Sequence, residues 1–301
     1  MPMRSDRPFL EIALLVFLSF LWGGSFTLIK VAVESVPPAT IVSGRLMIGA
    51  AILLLLVRLR GIALPASSRD WAAYAVQGCL QSALPFTLIS WGEMHIDSGL
   101  AGLLNSTPPL FAFLITFFIL GQRAAAFRKA AGVVVGFGGV LITMVPDLAL
   151  HDRQSLLGQA AVMGSSLSYA VAAIYANRFS DRPPLLTAGC SMLMAAAIML
   201  PISVIFDQPL KLAPSSEAIW SIIALGVFST ALAMIVYFRL VRTLGAVGVT
   251  SGSYLRAGFS VLLGAVFLGE TISPGMVIGF ILILLSVATV TGQLRWPLRR
   301  K

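Results

Sequence analysis

The chain has 301 residues, of which 58% are hydrophobic and only 11% charged. An ordinary soluble domain carries about 25% charged residues, and the mean hydropathy here is +0.94. That excludes a water-soluble fold and points to a polytopic membrane protein. Two cysteines, Cys79 and Cys190, both in apolar runs, exclude a disulfide scaffold.

Ten apolar runs of spanning length follow in chain order: 9–33, 38–57, 71–91, 98–120, 127–145, 155–177, 185–206, 218–238, 246–268 and 273–293. A span needs roughly 20 mainly apolar residues. The links are short and leave no room for a separate soluble domain. The first run is too long for a signal-peptide core and lacks a small-residue cleavage site, so it reads as a retained helix.

The basic residues set the orientation. With the N-terminus in the cytoplasm, sixteen fall on that side: Arg4, Arg7, Arg58, Arg60, Arg69, Arg123, Arg128, Lys129, Arg178, Arg182, Arg239, Arg242, Arg295, Arg299, Arg300 and Lys301. Arg153 and Lys211 fall outside, and the acids Glu34, Glu93, Asp97, Asp147, Asp152, Asp207, Glu217 and Glu270 lean outward. The net charge of +9 therefore reads as an orientation signal and a contact with anionic headgroups, not as a nucleic-acid surface. Both termini are expected in the cytoplasm.

Shifting the chain by 146 residues makes the halves echo each other. Val36-Pro37-Pro38-Ala39 falls on Arg182-Pro183-Pro184-Leu185, and Ala50-Ala51-Ile52 on Ala196-Ala197-Ile198. Gly99 and Gly102 fall on Gly245 and Gly248, and Leu120-Gly121-Gln122 matches Leu268-Gly269-Glu270 with two residues inserted. Each unit, 9–145 and 155–293, holds five spans. An odd number inverts the second unit in the bilayer, an architecture of carriers that rock one repeat against the other around a midplane site. The fold class is an all-α membrane protein of ten transmembrane helices in two inverted five-helix repeats.

Several motifs carry a family resemblance. They are Leu21-Trp22-Gly23-Gly24-Ser25-Phe26, the Pro37-Pro38…Arg45 pattern, Asn105-Ser106-Thr107-Pro108-Pro109, Tyr237-Phe238-Arg239-Leu240 and Leu268-Gly269-Glu270-Thr271. Together they resemble the drug/metabolite transporter superfamily, in its ten-helix EamA type, over nearly the whole chain. Within that group the chain is most similar to bacterial exporters of aromatic amino acids and related compounds. The resemblance implies export across the bacterial cytoplasmic membrane, and fifth and tenth spans at the outside of the assembly. One departure is Gln122, where the family usually has Glu.

Ionisable groups inside a membrane are costly and usually functional. Three basic residues lie within spans: Lys30, Arg45 and Arg256. Lys30 and Arg45 read as outer-end charges. Lys30 either snorkels to headgroups or acts in the pathway; Arg45 either clasps Glu34 and other outer acids or does likewise. Arg256 is mid-span, either a bonded structural arginine or the group that holds a substrate carboxylate. No acid lies near the centre of a span, whereas the related four-helix multidrug exporters couple protons through a carboxylate in their first helix. A neutral, zwitterionic or anionic substrate is expected, moved passively or coupled without a buried carboxylate.

Candidate substrate-binding residues are Trp22, Phe26, Gln77, Gln81, Asn105, Thr107, Tyr169, Thr230, Tyr237, Ser253, Tyr254 and Arg256. Gln77 and Gln81 stand at i,i+4 on one face, and Trp22, Phe26, Tyr169 and Tyr254 suit a ring-bearing substrate. Candidate hinges are Pro85, Pro108, Pro109 and Gly252; the Pro108-Pro109 pair breaks the helical ladder and frees carbonyls, tolerated only against protein or a wet cavity. Spacings such as Gly132-x-x-x-Gly136, Gly248-x-x-x-Gly252 and Gly275-x-x-x-Gly279 read as close helix packing. No metal and no cofactor is expected, since His95 and His151 lie in different links.

The expectation is an alternating-access carrier, not an enzyme, that exports small metabolites, amino acids first. The alternatives are export of drugs, sugars or nucleotide-like compounds, and, in another class, a channel, which usually needs a symmetric ring of charges or carbonyls. Its partners would be the substrate and the lipid bilayer, with no nucleic acid, and a two-repeat chain needs no second copy to complete a pathway.

Overall fold

A computed structural model describes residues 8–119, 121, 126–150, 152–250 and 252–291; within them the side chains of 8, 126–128, 147–150, 245–250, 253 and 254 lie outside the description. Among the described residues there is no strand. The helices are α1 (Pro8–Val33), α2 (Pro38–Leu59), α3 (Ser68–Gly78 and Leu84–Gly92), α4 (Ser98–Leu104 and Pro108–Leu114, with a π turn Ile115–Ile119) and α5 (Ala126–Leu150). The second half repeats the order: α6 (Arg153–Tyr175), α7 (Pro184–Ile202), α8 (Ser216–Ala224 and Ala233–Thr250), α9 (Gly252–Leu268) and α10 (Pro274–Val290). Seven stretches are long and apolar enough to cross a membrane, and Leu255–Leu268 and Pro274–Val290 are shorter apolar helices.

Local chemistry starts these helices where the sequence suggests. Proline opens α2, α7 and α10, where its missing N–H has no helical partner to lose. Ser67, Asp152, Ser215 and Ser273 accept from first-turn N–H groups of α3, α6, α8 and α10. Gly121 and Gly269, the glycines of the two Leu-Gly motifs, have φ of 66° and 68°. Only glycine enters that region without strain, so the pair recurs because the chain turns the same way after α4 and α9.

The boundary between the eighth and ninth spans differs from expectation, the ninth helix beginning at Gly252 rather than at 246. The eighth span was expected to end at 238, but helix continues to Thr250. No proline interrupts 239–250, and Arg239 and Thr243 are both bonded to Glu11 of α1, Nη2 to Oε1 at 3.0 Å and Oγ1 to Oε2 at 2.9 Å.

Packing shows the two-fold relation directly. α2 packs on α7 and α5 on α10; α2 on α8 matches α7 on α3; α1 on α9 matches α6 on α4; α1 on α8 matches α6 on α3. The mid-helix π turns obey it too: Cys79–Ala83 in α3 and Leu225–Leu232 in α8 coincide at the offset of 146. Glycines let these helices touch. An added Cβ at Gly78 would strike the Ser191 carbonyl, and one at Gly139 would lie 2.9 Å from the Gly279 carbonyl.

Candidate functional site

The break in α4 begins the site. Pro108 and Pro109 have no N–H for the carbonyls four residues back, those of Leu104 and Asn105. Both carbonyls find partners elsewhere. Leu104 O accepts from Thr107 Oγ1 at 2.7 Å and from Ser166 Oγ of α6 at 3.2 Å. Asn105 O accepts from Arg256 Nη2 of α9 at 2.7 Å. The Asn105 side chain donates to Ser165 Oγ of α6 at 2.9 Å. One proline pair thus prepares acceptors for both helices of the second repeat that face it.

Arg45 supplies the second half. It does not reach out to Glu34; it is 5% exposed and points inward. Its Nε donates to Thr230 Oγ1 at 2.8 Å, within the π turn of α8. Its guanidinium carbon lies 3.9 Å from the Phe86 ring centroid on α3, a cation–π contact. Tyr169 of α6 feels the charges of both Arg45 and Arg256. Neither arginine has an ion-pair partner among the described residues, and Arg256 Nε is buried without a hydrogen bond. The interior therefore holds two guanidiniums, one from each repeat.

The other candidates divide. Gln77 is buried with Oε1 unpartnered, while Gln81, inside the π turn, is half-buried. Trp22 and Tyr237 pair across the repeats with ring centroids 5.7 Å apart. Phe26 is core packing, 3% exposed, and lies against Gly102 of α4. Thr107 spends its hydroxyl on its own helix. Pro85 opens the helix after the π turn of α3, and Gly252 sits against Leu15 and Ser19 of α1. The side chains of Ser253 and Tyr254 lie outside the described residues. A cavity of about 390 Å³ lies at the C-terminal end of α2, lined by Leu54, Leu55, Val57, Arg58, Ile62 and Leu64, away from Arg45 and Arg256.

Lys30 does not snorkel. Its ammonium donates to the carbonyls of Glu93 and Ile96, each at 2.8 Å. Glu93, counted by sequence among the outward acids, is fully buried. The expectation of coupling without a buried carboxylate therefore meets a buried acid, in the link between α3 and α4. Position in a link hid it, since nothing in Trp91-Gly92-Glu93-Met94 marks the turn as covered. Glu270 is also recruited: its carboxylate accepts from the N–H groups of Ser98 at 2.6 Å and Gly99 at 2.9 Å, at the start of α4.

Comparison with known proteins matches this two-repeat geometry. The model of the EamA-like transporter family matches twice, at residues 9–145 and 156–292. The chain belongs to the EamA-like transporter family. It is 23% identical over 270 residues to the uncharacterized transporter YoaV of Bacillus subtilis, covering 89% of this chain and 92% of that protein. It is 26% identical over 287 residues to the uncharacterized inner membrane transporter YedA of Escherichia coli K12, covering 93% and 90%. It is 24% identical over 271 residues to a probable terminal-alkyne amino-acid exporter of Streptantibioticus cattleyicolor, covering 88% of each. A crystal structure at 20% identity shares the fold, with a TM-score of 0.65 over 95% of this chain and 98% of that one. This EamA protein is a multi-pass membrane transporter.

Proposed function

We propose that this transporter is an alternating-access carrier that exports small metabolites from the bacterial cytoplasm, amino acids and aromatic ones among them. The carrying observation is the pair Arg45, buried, and Arg256, half-buried, without ion-pair partners among the described residues, donated by opposite repeats and both acting electrostatically on Tyr169. A carboxylate is the complement of such a pair, and the Trp22–Tyr237 pair offers a ring surface nearby. The relative named as an amino-acid exporter supports the choice. The arginines come from different repeats, so rocking one repeat against the other makes and breaks the site, as alternating access requires. Both termini would face the cytoplasm, and a single chain would suffice.

Counterflow in proteoliposomes tests this. Amino acids, sugars, nucleosides and cationic drugs are offered against preloaded label, and carboxylated amino acids should exchange best. Exchange of sugars or drugs with no response to amino acids would overturn the substrate assignment, and single-channel conductance would overturn the carrier.

A further inference from the structure

We propose that Glu93 is a proton-binding site: the outer end of the carrier closes around a neutral Glu93 and opens as that proton leaves to the outer side. The inference rests on the carrier reading only for what the gate opens onto.

Glu93 lies in the link between α3 and α4, and among the described residues neither of its carboxylate oxygens has a hydrogen-bond partner. Every group that faces it is engaged elsewhere. Lys30 from α1 donates to the main-chain carbonyls of Glu93 and Ile96, not to the carboxylate. Arg45 from α2 is bonded to Thr230 and stacked on Phe86. Glu270, from the turn after α9, caps α4 and adds a second negative charge. The charge of Arg45 also acts on Tyr169 of α6, and the His95 ring lies against Trp91. α6 seals the remaining side: an added Cβ at Gly92 would lie 2.7 Å from Val162.

A carboxylate buried without a hydrogen bond or an ion pair is strongly disfavoured, while the neutral acid is tolerated. Burial pushes the Glu93 carboxyl well above the usual carboxylate range; the Glu270 charge adds to this, and Lys30 and Arg45 oppose it. Opening the outer end admits water and restores ordinary acidity. The closed state thus holds one more proton than the open state. By linkage, closure is favoured at low outer pH and is lost as pH rises through the elevated value. In the step itself, hydronium from outer water gives its proton to a Glu93 carboxylate oxygen and water leaves. In an exporter, this proton uptake returns the emptied carrier to its inward-facing state.

Dicyclohexylcarbodiimide modifies protonated carboxyls in apolar surroundings and reads Glu93 in the native protein. Mass spectrometry should find Glu93 modified and the exposed Glu34 untouched, with modification falling as pH rises through the range above the ordinary carboxylate value. No modification of Glu93, or a pH-independent yield, overturns the proposal. Glu93→Gln keeps the shape of the neutral acid. Native counterflow should slow about five-fold or more as outer pH rises over that range, and the Gln variant should vary less than about two-fold. A Gln variant with the native pH profile overturns the proposal. If that variant does not fold, the labelling of native protein still decides. Absence of any counterflow, with Glu93 labelled as expected, faults the carrier reading and leaves the proton site standing.

Discussion

Arg256 ties two helices together and is proposed to hold substrate, and the two roles are separable by measurement. One Nη2 proton ties α9 to the Asn105 carbonyl, while Nε has no partner. A charge-assisted hydrogen bond is worth about 1.5–3 kcal/mol, or roughly 10- to 100-fold in affinity. Arg256→Ala should therefore weaken counterflow of a carboxylated substrate by that factor relative to its amide or ester. Equal loss on both would leave Arg256 a structural tie. Arg45→Lys is a sharper case, since lysine keeps the charge but loses the flat stacking on Phe86 and the Nε bond to Thr230. Transport of carboxylated substrates should fall at least about ten-fold despite the retained charge; native rates would mean the ring contact is idle. At this scale the basic residues were legible, because charge inside an apolar run is conspicuous. The direction in which Arg45 points was not, since it depends on a π turn in a helix 185 residues away. Glu93 was hidden for the complementary reason: an acid in a link reads as wet until the fold covers it.

The helices themselves were written plainly in the apolar runs and the Pro-Pro openings. The π turns were not. Nothing in Cys79-Leu80-Gln81-Ser82-Ala83 or in the stretch from Leu225 to Leu232 distinguishes a π turn from an α turn, yet they fall at matching places in both repeats. Such bulges often mark functional positions, and Thr230, the partner of Arg45, lies in one. The glycine spacings were legible as close packing, but not their partners. Gly78 lies against α7, with Ser191 O where a Cβ would stand, whereas nothing lies within 4 Å of a Cβ at Gly138. Gly78→Ala should cost about 1–3 kcal/mol through overpacking. Gly138→Ala, in α5, should be neutral or gain up to about 1 kcal/mol from helix propensity. Melting of the detergent-solubilised protein separates them; equal melting would refute the account of the α3–α7 contact.

At the scale of the molecule, the two ends are held by different chemistry. At one end, Glu11 of α1 binds Arg239 and Thr243 of α8. At the other, Thr40 of α2 donates N–H and hydroxyl to Asp207 beyond α7, at 2.7 and 2.9 Å, and Glu270 caps α4. The Glu270 contact joins the repeats through a carboxylate at a helix N-terminus, where the dipole favours negative charge. The corresponding position in the first repeat is Gln122, which lies outside the described residues; with no charge there, the two-fold relation of sequence is not a two-fold relation of electrostatics. If Glu270 holds the outer end shut, Glu270→Ala leaves the Ser98 and Gly99 N–H groups without their acceptor, at about 1–3 kcal/mol. That is enough to raise the outward-open population about 5- to 100-fold where it is minor. Ser98→Cys reports it, because Ser98 is fully buried and the bond from Glu270 goes to its main chain, which the substitution keeps. With Cys79 and Cys190 replaced by alanine, a membrane-impermeant maleimide added from outside should label Ser98→Cys slowly. Adding Glu270→Ala should speed labelling by about that factor, and Glu270→Gln, which still accepts one hydrogen bond, should fall between. Equal rates in all three proteins would mean that the cap orders α4 without gating the carrier.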